Sequence, residues 1–179
     1  MKIEALDDFE KQEDWENARM LLYKIWDNDR LCSDKLIRLL SECWYVLSLW
    51  DCSMNTAQLS FRMFQNNLIE CTNFGIENFG ENARFLGITG YMISMLPHLF
   101  SVDNSDSSYS EWEQIGIDML YKSIALNSDD LLVKVLYMGT TGTFSEYTEE
   151  KKQSSLSVAN YLTNETAIEI YFKNILCAN

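Results

Sequence analysis

An all-α fold of stacked antiparallel helix hairpins follows from three features of this sequence. There is one proline, Pro97, and only seven glycines in 179 residues, too few breakers for the many tight turns of an all-β chain. Apolar residues recur at three- and four-residue spacing over long stretches, the period of one helical face. Where those stretches stop, the gap to the next is short, and short links turn each helix back along its predecessor. With 47% hydrophobic and 13% aromatic residues the chain is too apolar for intrinsic disorder. Its length suits one full-sized domain, because two would each be small and marginal. The expectation is a single all-helical domain over 1–179, of about eight helices, with a long loop near 101–109.

The first strong helix spans roughly residues 14–27, with Trp15, Ala18, Leu22, Ile25 and Trp26 on one face. Residues 3–12 either extend it or form a short helix of their own, and Asn28-Asp29 reads as a turn. A second helix runs from about Ser33, its expected N-cap, to Trp50. Leu36, Leu39, Leu40, Cys43, Trp44, Val46, Leu47 and Trp50 cover more than half its circumference, so neighbours must bury it on several sides. A third is expected from Asn55, with Gln58 completing a capping box, to about Thr72, followed by a loop over 73–80 that holds two glycines. The fourth, about 81–96, stops before Pro97. Gly87 and Gly90 inside it cost stability relative to alanine, and their use is to admit a neighbouring helix closely. The run Ser101–Ser108 is rich in Ser, Asn and Asp, which compete with helical hydrogen bonds and favour turns. Ser110 and Glu113 have capping-box spacing and open a fifth helix to about Asn127. Further helices are expected at roughly 130–138, 148–162 and 165–177, with Gly139–Gly142 as a loop.

Charge narrows the function. Twenty-seven acids against 14 Lys and Arg give a net charge of -13. Such a surface repels nucleic-acid phosphates and anionic membranes, and favours fast, salt-sensitive association with a basic protein. The alternative is that the charge serves solubility alone. Cysteines at 32, 43, 52, 71 and 177 are odd in number and form no C-x-x-C pair, so neither a zinc knuckle nor a redox motif is written. Reduced thiols in a cytoplasm fit this set, and the N-terminal residues hold no apolar stretch of signal-peptide type. Apolar runs such as 36–50 are interrupted by Arg38 and Glu42 and are too short to span a bilayer.

Catalytic chemistry has little to stand on. The one histidine, His98, follows Pro97 at an expected helix end. No dinucleotide fingerprint, P-loop or H-E-x-x-H pattern is present. Acid pairs at 7–8, 129–130 and 149–150 fall at helix starts or solvated stretches, where carboxylates complement the helix dipole. The expectation is a non-enzyme with no cofactor and no metal.

Gly116, Leu120 and Ser123, followed by Leu126-Asn127-Ser128, place small, large and small residues four and three apart. This run, 116–128, resembles the second helix of a tetratricopeptide repeat, with Ser128 where that family usually has proline. The resemblance implies stacked helical hairpins of tetratricopeptide-like or irregular α-solenoid type. It does not extend to a preceding Trp-x-x-Leu-Gly helix, whose place is taken by 101–108. The alternative is an irregular helical bundle.

Two acidic concentrations contain aromatic residues. One holds Asp103, Asp106, Glu111, Glu113 and Asp118 with Tyr109 and Trp112; the other is N-terminal and includes Asp7 and Asp8 near Phe9 and Trp15. Acids steer a basic partner while Tyr and Trp supply buried anchor area, so Asp103, Asp106, Tyr109, Glu111, Trp112, Glu113, Asp7 and Asp8 are the candidate partner-binding residues. Trp112 could instead pack in the core. In general character the chain resembles the acidic, helical immunity proteins of bacterial toxin–immunity pairs, including those of contact-dependent growth inhibition. That resemblance implies a cytoplasmic inhibitor of a basic toxin domain with nuclease activity, with no direct contact to nucleic acid or membrane. The alternative is a tetratricopeptide-like scaffold or secretion chaperone that holds a peptide in a helical groove.

Overall fold

The computed structural model describes residues 4–50, 52, 56–102, 105–162 and 167–177. Among these, every regular element is helical: nine α-helices and one 3₁₀ turn, with no strand. The all-α class is therefore established. The chain divides into two compact units, Met1–Phe79 and Gly80–Asn179, and each has its own core.

The first unit holds α1 (Glu4–Lys11), α2 (Trp15–Asp27), α3 (Ser33–Ser48) and α4 (Phe61–Asn78). The short helix left open by the sequence is α1. Between α1 and α2, Glu13 takes a positive φ of 56° and Asp14 caps α2, accepting from the Asn17 amide at 3.4 Å and from its side chain at 2.7 Å. Helices α2 and α3 run antiparallel, since Trp15 meets Tyr45 at 5.4 Å between ring centroids while Asp29 pairs with Lys35 at 2.8 Å at the other end. Trp50, just beyond α3, packs edge-on against Phe61 and near Phe64, turning α4 back along α3. So α4 lies beside α2 in the same direction: Arg19 donates to Asn67, Tyr23 to Glu70, and Trp26 meets Phe74 at 5.4 Å. The predicted centre of the core is in place, with Leu36, Leu39, Leu40, Cys43 and Val46 of α3 fully buried.

The second unit holds α5 (Ala83–Met95), a 3₁₀ turn (Pro97–Leu99), α6 (Asp106–Leu126), α7 (Leu131–Thr141), α8 (Phe144–Tyr161) and α9 (Ala167–Leu176). The glycines of α5 do what their positions predict. A Cβ on Gly90 would lie 2.8 Å from the Gly116 carbonyl oxygen, and one on Gly87 2.8 Å from Ser123 Oγ. Helix α6 thus runs antiparallel to α5 with backbones nearly touching, and Ser123 Oγ donates to the Ala83 carbonyl at 2.6 Å. Asp130 caps α7 by accepting from the Leu132 amide at 3.1 Å and pairs with Arg84 of α5 at 2.7 Å. Helix α8 returns along α7, where Lys134 and Glu150 pair at 2.9 Å, and Tyr147 donates to the Ile175 carbonyl of α9 at 3.0 Å.

Helix ends depart from expectation. Helix α3 is capped at Cys32 without a side-chain bond, so Ser33 is already helical. Helix α4 starts at Phe61 and runs to Asn78, about six residues later than predicted at both ends. Of the predicted capping box, Asn55 lies outside the described residues and Gln58 precedes the helix. Gly75, expected in a loop, is buried within α4, one residue beyond the Phe74 ring that Trp26 holds. Tertiary packing here outweighs the propensity cost of one glycine. Helix α6 opens at Asp106 because Ser105 Oγ accepts from the Ser108 amide at 3.3 Å. Ser110 is not a cap; it donates to the Asp106 carbonyl at 3.1 Å inside the helix. Gly139 to Thr141 continue α7, and α8 starts four residues early on a Thr143–Glu146 capping box.

Candidate protein-interaction surface

Once α6 begins at Asp106, its phase decides what its acids can do. At 3.6 residues per turn, Asp106 and Glu113 fall in one row and Glu111 and Asp118 in another, about 140° away around the helix. All four are exposed. Among the described residues no lysine or arginine lies within ion-pair distance of any of them. Lys122, the first base after them, is held by Glu81 at 2.6 Å. Asp118 Oδ1 accepts from Gln114 Nε2 at 2.9 Å, which fixes that carboxylate on the outer face.

Tyr109 and Trp112, the aromatic candidates, lie on α6 beside these acids. Both are half-buried against the segment after α5: Tyr109 stands edge-on to His98 at 6.1 Å, and Trp112 lies 6.0 Å from the ring of the buried Phe100. Exposed apolar side chains of α6 include Ile115, 38% exposed, and Tyr121, 52% exposed, with Leu126 at its C-terminal end. Tyr121 is steadied edge-on by Tyr137 of α7 at 5.4 Å. Ile115 and Tyr121 flank Asp118 at i−3 and i+3, a helical spacing readable from the sequence once the helix start is known.

The other acidic concentration is on α1 of the first unit. Asp8 is exposed and Asp7 half-exposed, but Glu10 turns inward, its side chain 1% exposed. There it meets Arg38, which also bonds Glu42 at 2.9 Å. Burial and the nearby Glu10 carboxylate push the Glu42 carboxyl up to about 7, against the pull of Arg38. The interruptions of the α3 apolar run are thus an internal cluster with an N-terminal acid. Asp103 lies outside the described residues. The candidate residues consequently fall in different units, with Asp106, Tyr109, Glu111, Trp112 and Glu113 on α6 and Asp7 and Asp8 on α1.

His98 is exposed in the 3₁₀ turn after α5. Burial pushes the Cys43 and Cys71 thiols and the Tyr91 hydroxyl well above their ordinary values, which keeps these groups protonated. Among the described residues no group of three His, Cys, Asp or Glu side chains could hold a metal ion, and no helix is long and apolar enough to cross a membrane. Comparison with protein-family models, with curated proteins and with solved structures finds no match to this chain.

Proposed function

We propose that this protein binds and neutralises a basic protein, acting as an immunity protein against a nuclease toxin in the bacterial cytoplasm. The observation that carries the reading is the outer side of α6: two rows of exposed carboxylates with no base in ion-pair reach among the described residues, beside the exposed side chains of Ile115 and Tyr121. Nuclease clefts carry positive potential for phosphate, and a rigid row of carboxylates can occupy such a cleft as a charge mimic. The test is copurification with a basic nuclease domain and assay of that domain's activity in the complex. A one-to-one complex with the nuclease silenced is expected, weakened at least about tenfold by E111K/D118K or by D106K/E113K. Retention of affinity and salt dependence by both double variants overturns the reading.

A second reading, a tetratricopeptide-like scaffold or secretion chaperone, draws on the small–large–small spacing of Gly116, Leu120 and Ser123 at the close α5–α6 contact. It predicts binding of unfolded peptides, with affinity indifferent to those charge reversals.

A further inference from the structure

We infer that Glu10, Arg38 and Glu42 form a proton-controlled latch that holds α1 against α3. Helix α1 is eight residues long, too short to persist as an isolated helix in water. It is held by the buried Leu6 and by Glu10, whose carboxylate bonds Arg38 Nη2. Arg38 Nη1 donates at the same time to Glu42 Oε2, one turn along α3. Glu42 is wholly buried, and among the described residues its Oε1 has no hydrogen-bond partner. One guanidinium therefore serves two buried carboxylates from different helices.

Protonation decides which carboxylate owns the arginine. With Glu42 neutral, its bond to Arg38 loses its ionic component and the guanidinium charge belongs to Glu10, which ties α1 down. With Glu42 ionised, the cation is drawn to its own helix, and Glu42 repels Glu10 across a medium that screens little. The position of the Glu42 titration near neutrality supports this order of events. The charges that act on Glu42 are Arg38 of its own helix and Glu10 of α1. Next to it, Cys43 faces Arg19 and Glu16 of α2, themselves a pair at 2.5 Å, and the protonated Cys71 of α4. The latch stands independently of the binding reading, although Asp7 and Asp8 ride on α1.

Hydrogen exchange of the full chain from about pH 5 to pH 9, corrected for intrinsic exchange chemistry, tests the latch. Protection of the α1 amides should fall by about tenfold or more as pH passes neutrality, while that of the α3 core amides holds. Glu42→Gln, a permanent mimic of the neutral acid, should keep α1 protected throughout and erase the step. A wild-type protein without the step, or a Glu42→Gln protein that retains it, overturns the inference. Carbon-13 titration of the Glu42 carboxyl in the unmodified protein gives a second check that does not depend on the variant folding. A midpoint in the ordinary carboxylate range, near about 4.3, overturns it equally.

Discussion

At Gly116, a hydrogen stands where a methyl group would meet backbone on two sides. A Cβ there would lie 2.8 Å from both the Gly90 carbonyl oxygen and the Ser94 nitrogen, and 3.0 Å from an Ile93 methyl. Backbone atoms of a buried helix cannot give way as a side-chain tip can. Gly116→Ala should therefore destabilise the protein by about 1–3 kcal/mol in chemical denaturation, despite alanine's better helix propensity. Gly87 is the contrasting case, since the atom nearest its missing Cβ is Ser123 Oγ. Alanine at Gly87 displaces a hydroxyl and loosens its bond to the Ala83 carbonyl. The buried Glu42 gives the other residue-scale prediction. Its folded value of about 7 lies above its ordinary one, so the native state binds the extra proton. Stability from this group is fully present below about pH 4.3 and lost as pH rises through neutrality. Denaturation midpoints across that range should fall in the unmodified protein and stay flatter in Glu42→Gln.

Elements show where sequence periodicity suffices and where it does not. The existence of every long helix was legible, because apolar spacing at α2, α3 and α5 reflects burial that the structure confirms at Trp15, Leu22, Leu40 and Phe85. Helix ends were legible only where a cap or a proline acts locally. Pro97 stops α5 as read, whereas the end of α4 depends on Phe74 reaching Trp26 from another helix. The start of α6 was missed for a different reason. Serines and aspartates serve turns and N-caps alike, and nothing local in 101–108 says that Ser105 is the cap. That difference bears on the site: with the helix begun at Ser110, Tyr109 sits in the loop, whereas in the structure it is part of α6 and stands against His98. The capping box of α8 was overlooked because two glycines in 139–142 suggested a longer loop. Thr143 accepts from the Glu146 amide at 3.3 Å and Glu146 accepts from the Thr143 amide at 2.8 Å. Thr143→Ala should cost about 1 kcal/mol, with exchange loss concentrated in the first turn of α8 and the first unit unchanged.

Over the whole molecule, acids outnumber bases, so ion pairing within the chain leaves an excess of negative charge. Among the described residues seven bases, Arg19, Arg30, Lys35, Arg38, Arg84, Lys122 and Lys134, are engaged with acids of the same chain. That is half of the 14 Lys and Arg, and the 27 acids still outnumber all bases, giving the net charge of -13. Acids on an exposed face act mainly on encounter, and anchors that become buried act mainly on residence. The association rate with a basic partner should therefore drop by about tenfold or more between about 50 and 500 mM NaCl, because the screening length contracts severalfold over that range. E111K/D118K should lower the same rate and flatten its salt dependence while moving the dissociation rate little. Tyr121→Ala should do the reverse, leaving the salt slope intact and speeding dissociation by about tenfold, since it removes a half-exposed ring already oriented by Tyr137. Stopped-flow or surface-resonance kinetics separate the two effects. If the charge reversals act on dissociation and the tyrosine on association, α6 is not the face that meets the partner.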